Sequence, residues 1–287
     1  MATETGRALD RRRLVSVPAG TLGYRESGAG EPVLCLHGLV ANGLEWRYIA
    51  GRLAREIRCI APDLPLGSHF PALPEADLSL PGQAGLVVDL LDALELEQVV
   101  LIGNGYGGDI AQTVAADHPE RVKALVLIAT NAFDSDPWPT KALRVFTSLP
   151  GSRFVQPLLT RSRTMQRLPI TYGWATKRPI PQHIMDAYLA PLRDRAVADD
   201  FARFLRGLSP AHLADRAPKL AEYRGPTLIV WPTEDRVFPA SGARRLAEMI
   251  PDARLVNVDD SYSWIPEDQP EVLATLLSEF LRTRVLR

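Results

Sequence analysis

The 287-residue sequence has only two cysteines, five histidines and no long hydrophobic run. Cys35 and Cys59 both lie inside short apolar segments, where a thiol more often fills a core than binds a metal or forms a disulfide. We therefore expect no disulfide framework and no metal site. A reduced, cytoplasmic environment fits this cysteine content.

An excess of one charge is also missing, because 33 Lys and Arg balance 34 Asp and Glu to give a net charge of -1. Proteins that bind nucleic acids usually carry a basic surface, so we expect no such partner. The apolar segments, such as 99–103, are far shorter than the roughly 20 residues that span a bilayer. No apolar stretch follows the charged residues 11–13, as a secretory signal would require. We expect neither a membrane partner nor secretion.

The first half of the sequence alternates short apolar runs with amphipathic stretches, a pattern typical of parallel strands joined by helices. A hairpin is predicted around Ala19 and Gly20, with strands at 13–18 and 21–26. The predicted buried strands are 32–36, 57–61, 99–103 and 124–130, and the predicted helices are 46–55, 81–94 and 108–118. The alternation returns later, with strands 227–231 and 253–258 and helices 241–249 and 271–284. The fold class is therefore α/β.

The segment 133–217 interrupts this alternation. It is rich in Pro, Arg and helical patterning and has no strand-like run. We predict a helical cap at 133–217, inserted into a single core formed by 1–132 and 218–287. The cap carries 13 Lys and Arg against 7 Asp and Glu, so its net charge is +6 and that of the core is -7.

Three turns follow predicted strands, at the carboxyl edge where open α/β sheets bind ligands. The first is His37-Gly38-Leu39-Val40, in which Gly38 permits a sharp turn and the next N–H can point at an anionic oxygen. The second, 103–108, contains four glycines and opens a helix, whose first N–H groups are available donors. The third, 232–239, contains Asp235.

Together with 260–264 after the last strand, these turns resemble the α/β-hydrolase superfamily over nearly the whole chain. The similarity is closest to its cap-bearing branch of haloalkane dehalogenases, epoxide hydrolases and related esterases. It implies an eight-stranded, mostly parallel sheet flanked by helices, with an inserted helical cap. It also implies an oxyanion N–H from the His-Gly turn, a nucleophile on the glycine-rich elbow, an acid after a late strand and a histidine after the last strand.

The sequence departs from this pattern at two distant positions. Gly105 stands where the family carries its Ser, Asp or Cys nucleophile, and Ser263 stands where it carries its histidine. The family's acid matches Asp235. The histidines are His37, His69, His118, His183 and His212, so none follows residue 212.

Other reactions of related folds are also disfavoured. Leu39 and Tyr106 replace the Asn and Trp with which the dehalogenases hold the halide, so carbon–halogen hydrolysis is not expected. The segment 103–108 lacks the G-x-G-x-x-G spacing of a dinucleotide site. We expect no cofactor.

We predict catalytic roles for Asp235, Tyr106 and His37, each with an alternative. Asp235 without a histidine partner should be partly buried with a raised pKa, unless it only caps its turn or pairs with Arg236. Tyr106 could donate to a substrate or pack as a wall. His37 could act as a base or be tied to neighbouring backbone. The predicted oxyanion and substrate-binding residues are Gly38, Leu39, Asn104, Gly105, Tyr106, Ser263 and Trp264.

These features suggest a cofactor-independent, non-hydrolytic enzyme that cyclises, isomerises or eliminates, with Asp235 as acid or base. The expected partner is a medium-sized, oxygenated, polyketide-like small molecule, and a homodimer is left open. The alternatives are a pseudoenzyme that binds a ligand, and an ester or epoxide hydrolase inactivated at position 105. The aromatic residues expected to line the pocket are Trp138, Phe146, Phe154, Tyr172, Trp174, Tyr188, Phe201 and Phe204.

Overall fold

The computed structural model describes residues 9–133, 137–149, 161–166, 172–209 and 211–286. These residues form an eight-stranded sheet flanked by helices. The strands are β1 (Arg12–Val17), β2 (Gly20–Gly28), β3 (Glu31–Leu36), β4 (Ile57–Pro62), β5 (Val99–Asn104), β6 (Val122–Ile128), β7 (Thr227–Pro232) and β8 (Ala253–Val258). They are arranged in the order β1-β2-β4-β3-β5-β6-β7-β8. Only the pairs β1–β2 and β2–β4 are antiparallel, so the predicted mostly parallel sheet is confirmed.

The burial of each strand matches its position in the sheet. Every residue of β5 and of β7 is buried, as expected for central strands covered on both faces. The edge strands β1 and β8 mix exposed and buried residues instead. The predicted hairpin is confirmed, since β1 pairs with β2 from Val17 and Gly20 outward. Gly20 has a φ of +135°, which a residue with a side chain rarely adopts.

The helices before β6 are α1 (Arg47–Leu53), α2 (Leu80–Ala93) and α3 (Tyr106–Asp117). Those between β6 and β7 are α4 (Trp138–Ser148), α5 (Arg163–Gln166), α6 (Tyr172–Ala175), α7 (Gln182–Leu189), α8 (Arg195–Gly207) and α9 (Ala211–Leu220). After β7 come α10 (Ala240–Met249), α11 (Ile265–Asp268) and α12 (Pro270–Arg284). The predicted core helices therefore lie where the structure has helices, and the described residues between β6 and β7 contain no strand.

The predicted division into core and cap has an unexpected feature at its second boundary. Ala217 lies inside α9, and this helix packs against α3 of the core. The helix α9 thus runs across the predicted boundary, from the end of the predicted cap into the segment that leads back to β7. The division itself stays a prediction.

The cap region contacts the core through polar as well as apolar side chains. Asp200 of α8 is buried and accepts hydrogen bonds from the Leu73 N–H at 2.6 Å and from Arg203 at 2.8 Å. The His69 Nε2 atom lies 3.1 Å from the same carboxylate. Burial opposes ionisation of Asp200, but these hydrogen bonds outweigh it and lower its pKa. This carboxylate ties α8 to the loop that follows β4.

The two cysteines lie on neighbouring strands, as buried free thiols whose Sγ atoms are 3.7 Å apart. Burial raises the pKa of Cys35 well above its ordinary value, so this thiol stays protonated. Both residues therefore fill the core, as their sequence context predicted. None of the helices formed by the described residues is long and apolar enough to cross a membrane.

A buried ion pair joins three separate parts of the molecule. Arg47 of α1 donates two hydrogen bonds of 2.6 Å to the carboxylate of Glu267 in α11. The hydroxyl of Tyr188, in α7, donates to the same carboxylate at 3.0 Å. Both charged side chains are only 3% exposed, so removing one of them would leave the other charge buried without its partner.

We predict that Arg47→Met lowers the free energy of unfolding by about 3 to 5 kcal/mol, because it leaves the Glu267 carboxylate buried without its charged partner. Urea denaturation measures this change. The matched control is Arg254→Met, which breaks the exposed Arg254–Glu279 pair and should leave the unfolding midpoint almost unchanged. Similar losses in the two variants would contradict a special role for the buried pair.

Candidate active site

The three turns singled out in the sequence follow the carboxyl ends of β3, β5 and β7. Because β3 and β5 are adjacent and parallel, the turns that follow them lie side by side. A Cβ atom built on Gly105 would lie 3.8 Å from the Cα of Gly38. The His-Gly turn and the glycine-rich elbow are therefore in direct contact.

Gly105 forms a sharp turn between β5 and α3. Its φ of +55° and ψ of -123° are strained for a residue with a side chain. Its N–H donates to the carbonyl of Ile128 at 3.1 Å, and its own carbonyl accepts the N–H of Gly108 at 2.9 Å. The turn is thus held by hydrogen bonds that do not need a side chain. It presents no hydroxyl, thiol or carboxylate.

His37 is held by backbone groups on both sides of its ring. The Leu64 N–H donates to Nε2 at 2.9 Å, so Nδ1 carries the hydrogen and donates to the Gly38 carbonyl at 2.8 Å. Burial lowers the pKa of His37 to about 4, although its hydrogen bond to Gly38 acts in the opposite direction. With both nitrogens engaged and the ring neutral, His37 is not placed to act as a base. These contacts match the alternative that His37 is tied to neighbouring backbone, and a catalytic role for His37 stays a prediction.

Asp235 and Ser263 are brought together by the turns after β7 and β8. The Ser263 hydroxyl donates to Asp235 Oδ1 at 2.6 Å, and the N–H groups of Val237 and Phe238 donate to the same oxygen. The other oxygen, Oδ2, is buried and has no partner among the described residues. Burial raises the pKa of Asp235, while its hydrogen bonds lower it in part, so the net pKa is above the ordinary value.

The alternatives weighed for Asp235 can now be compared with its contacts. It does cap its own turn through the two backbone N–H groups. It does not pair with the side chain of Arg236, which lies over the ring of Tyr262 at 3.9 Å. The turn-capping contacts involve only one oxygen, so they leave the second free to interact with a ligand.

Tyr106 follows the elbow and is directed at the cap region. Its hydroxyl donates to Thr140 Oγ1 at 2.8 Å, and its ring meets that of Phe204 edge-on with centroids 5.8 Å apart. The side chain is buried, so it forms part of the wall between the elbow and α8. Direct contact of its hydroxyl with a substrate stays a prediction.

Asn104 connects the elbow to the loop that carries Ser263. Its Nδ2 donates to the carbonyls of Ile128 at 3.1 Å and Ser263 at 2.9 Å. Trp264 comes next in that loop, with its ring close to those of Tyr172 and Tyr188, at centroid distances of 5.3 and 6.1 Å. Both predicted binding residues therefore lie at the junction of the sheet edge and the cap region.

Glu45 is a site residue that the sequence analysis missed. It is fully buried, and its Oε2 accepts the N–H of Gly38 at 2.9 Å. Burial raises the pKa of Glu45 to about 8, and the hydrogen bond from Gly38 lowers it only in part. An acidic residue between the apolar Leu44 and Trp46 was the available signal.

Because Gly38 donates to Glu45, its N–H is not available to a substrate. The next N–H, that of Leu39, has no acceptor within the described part of the chain. The His-Gly turn can therefore supply one oxyanion donor, and Leu39 is the residue that supplies it. The described residues include no cluster of three metal-ligating side chains.

Aromatic side chains of the cap region cover this site. Tyr188 and Phe204 are completely buried, and Phe201 packs against Gly67 in the loop after β4. Phe154 lies outside the described residues. Several cap cations are engaged in ion pairs and so attract anions less than the net charge of +6 suggests, among them Lys177, Arg178, Arg203 and Arg216.

The sheet order, the touching glycine turns and the acid after β7 define an α/β-hydrolase. The chain belongs to the alpha/beta hydrolase family, whose model matches residues 33–276. It is 28% identical over 288 residues to the cis-3-alkyl-4-alkyloxetan-2-one decarboxylase of Shewanella oneidensis, covering 94% of this chain and 88% of that one. It is 29% identical over 267 residues to haloalkane dehalogenase 2 of Mycobacterium bovis, covering 91% of each.

Solved structures agree with this assignment of the fold. An alpha/beta hydrolase fold protein from Burkholderia ambifaria superposes with a TM-score of 0.79 at 24% identity, covering 94% of this chain and 97% of that one. At this identity the likeness shows the fold alone. The relatives include hydrolases, dehalogenases and a decarboxylase, so family membership leaves the reaction open.

We predict that Glu45→Gln changes how stability depends on pH. The folded state holds a proton on Glu45 that the unfolded state releases, so wild-type stability falls as pH rises from about 4.5 to about 8. Glutamine keeps an acceptor for the Gly38 N–H but does not titrate. The free energy of unfolding of the variant should therefore not fall by the few kcal/mol that the wild type loses over this pH range, as measured by denaturation at each pH. Glu248→Gln, an exposed control, should follow the wild type; a Glu45→Gln curve parallel to wild type would refute the assignment.

We also predict that Gly105→Ser alone does not produce an efficient esterase, because no histidine is placed to take the hydroxyl proton. Gly105→Ser combined with Ser263→His should give slow hydrolysis of p-nitrophenyl acetate. The new imidazole would start where Ser263 now contacts Asp235 at 2.6 Å. Ser263→His alone is the control and should be inactive. Vigorous turnover by the Gly105→Ser single variant would reveal another base.

Proposed function

We propose that this protein is a cofactor-independent enzyme that does not hydrolyse its substrate. It would cyclise, isomerise or eliminate on a medium-sized oxygenated molecule, such as a polyketide-like intermediate. The observation that carries the proposal is the Asp235 carboxyl, with a buried oxygen that has no partner among the described residues and a raised pKa, next to the Ser263 hydroxyl. A carboxyl group with a raised pKa is a better proton acceptor than an ordinary aspartate and can act as an acid or base.

The elbow supports a reaction without a covalent intermediate. Gly105 cannot be acylated or alkylated, since it has no side chain. A Cβ built there would clash with nothing, because its nearest atom outside the neighbouring residues is the Cα of Gly38 at 3.8 Å, an ordinary van der Waals distance. A substrate group can therefore take the place that a nucleophilic side chain would fill.

We infer that the substrate carbonyl points at the Leu39 N–H. This donor would stabilise negative charge that develops on the oxygen when a neighbouring carbon loses its proton. The Ser263 hydroxyl would accept this proton while giving its own to Asp235, and the reverse transfer would complete the reaction. The geometry that supports this relay is the 2.6 Å contact between Ser263 and Asp235.

Two findings favour this proposal over an inactivated ester or epoxide hydrolase. A loss of the nucleophile alone would leave a histidine in place, but Ser263 occupies that position. Its hydroxyl donates a hydrogen bond of 2.6 Å to Asp235. The decarboxylase relative, by its name, removes carbon dioxide and thus performs another kind of reaction on this fold. A ligand-binding pseudoenzyme is the competing proposal that experiment must separate.

We predict that Asp235→Asn lowers the rate of proton transfer by about a hundredfold or more while the fold is retained. Enzyme-promoted deuterium exchange of an enolisable ketone, such as 2-tetralone, measures this rate by NMR. In the wild type the rate should titrate at a pH above the ordinary pKa of an aspartic acid, because burial raises the pKa of Asp235. This titration should vanish in the variant.

The exposed neighbour Glu234 provides the matched control, and Glu234→Gln should leave the exchange rate unchanged. An unaltered rate in Asp235→Asn would assign the chemistry to another group. Binding of the ketone without any promoted exchange in the wild type would favour the ligand-binding pseudoenzyme.

A further inference from the structure

Asn104 has a buried oxygen whose orientation is fixed. Its Nδ2 must face the carbonyls of Ile128 and Ser263, because only the amide nitrogen can donate to them. Oδ1 is therefore turned the other way, where it is buried and has no donor among the described residues. Rotating the amide would replace two hydrogen bonds by two repulsive oxygen contacts. A buried acceptor of this kind is costly unless a donor reaches it.

A donor without an acceptor lies nearby. The indole Nε1 of Trp264 makes no hydrogen bond within the described part of the chain. A Cβ atom built on Gly38 would lie 3.1 Å from Trp264 Nε1 and 3.6 Å from Asn104 Oδ1. The acceptor and the donor thus both lie close to Gly38, and the Gly38 Cα is 3.8 Å from a Cβ built on Gly105 of the elbow.

The Trp264 ring is fixed in place by its surroundings. Tyr172 and Tyr188 pack against it, and its backbone N–H donates to the carbonyl of Ala175 at 2.9 Å. The Tyr172 hydroxyl donates to the carbonyl of Val40 at 2.8 Å, which links this packing to the His-Gly turn. The direction of the indole N–H is therefore set by the fold before any ligand arrives.

We propose that Asn104 and Trp264 together bind one hydroxyl group of the substrate, and we call these two residues the pair. The hydroxyl belongs to an enol or an alcohol at the end of the substrate that lies over Gly105, so the pair selects substrates that carry such a group. The hydroxyl donates its hydrogen to Asn104 Oδ1, and its oxygen accepts the indole N–H of Trp264. This inference rests on the proposed function, to which it adds the substrate class. It concerns an oxygen different from the one that the Leu39 N–H contacts.

A hydroxyl satisfies this pair better than other oxygen groups do. A ketone, ester or ether oxygen can accept from Trp264 but leaves Asn104 Oδ1 without a donor. A site built to hydrogen-bond a hydroxyl rejects analogues that lack it, since its buried polar atoms then stay unpaired. A substrate with a carbonyl and an enol or hydroxyl nearby would engage both the Leu39 donor and this pair.

The test compares 2-naphthol with 2-fluoronaphthalene, two probes of nearly the same size of which only the first has a hydroxyl. Their dissociation constants for the full-length protein are measured by calorimetry. We expect the wild type to prefer 2-naphthol by at least about tenfold, the ratio that one hydrogen bond of about 1.4 kcal/mol provides. Equal affinities, or no binding of 2-naphthol at millimolar concentration, would overturn the inference.

Two variants separate the members of the pair. Trp264→Phe keeps an aromatic ring between the tyrosines but removes the N–H, and Asn104→Ala removes the acceptor. Each should reduce the preference for 2-naphthol to threefold or less. Trp231→Phe is the matched control: its indole N–H donates to the Phe238 carbonyl instead, so the preference should persist. A tenfold preference that survived Trp264→Phe would overturn the inference even if Asn104→Ala failed to fold.

Asp235→Asn distinguishes this inference from the proposed function. The variant should keep the preference for 2-naphthol, because its side chain belongs to the proton relay and not to the pair. Retained selectivity together with an unaltered exchange rate in Asp235→Asn would refute the proposed reaction while supporting the hydroxyl site. Equal affinities of the wild type for the two probes, together with slowed exchange in Asp235→Asn, would refute the hydroxyl site alone.

Discussion

The contact between Gly38 and Gly105 is the constraint on which the rest of the site depends. Two parallel neighbouring strands end side by side, so the turns that follow them lie against each other. Glu45 is hydrogen-bonded to the first turn at the Gly38 N–H, and Asn104 directly precedes Gly105 in the second turn. A larger residue at Gly38 would collide with Trp264.

Three polar side chains on the turns after β3, β5 and β7 or beneath them leave an atom without a hydrogen-bond partner among the described residues. Glu45 and Asn104 are buried with one oxygen unpaired, and the half-buried Asp235 has one buried oxygen without a partner among the described residues. Each unpaired atom costs free energy that an apolar residue of similar shape would avoid. Such atoms on the turns at the carboxyl edge of the sheet are typical of a site that completes its hydrogen bonds with a ligand. The buried Arg47–Glu267 pair, in contrast, is fully satisfied and joins the cap region to the core.

In the proposed function, the same arrangement would let a hydrolase fold serve a different reaction. Electrostatic stabilisation of an oxyanion needs only fixed backbone donors, which the sheet edge supplies whatever residue stands on the elbow. Glycine at position 105 relieves the strain of the turn and opens the space that a nucleophile would occupy. Without a histidine, Asp235 can act as an acid or base only if another group carries the proton between it and the substrate. The Ser263 hydroxyl is hydrogen-bonded to Asp235 and is the candidate for this group.

The sequence alone predicted the strands, the core helices and the family, because apolar periodicity and glycine-rich turns are local signals. By resemblance to the family it also matched Gly105, Asp235 and Ser263 to the positions of the nucleophile, the acid and the histidine, and this assignment stays a prediction. It could not show that His37 is tied to backbone, that Glu45 lies beneath Gly38, or that the Asn104 amide has a fixed orientation. These features arise from hydrogen bonds between residues far apart in the chain, such as the one from Asn104 to the Ser263 carbonyl, and only the packed tertiary structure determines which atoms are left without partners.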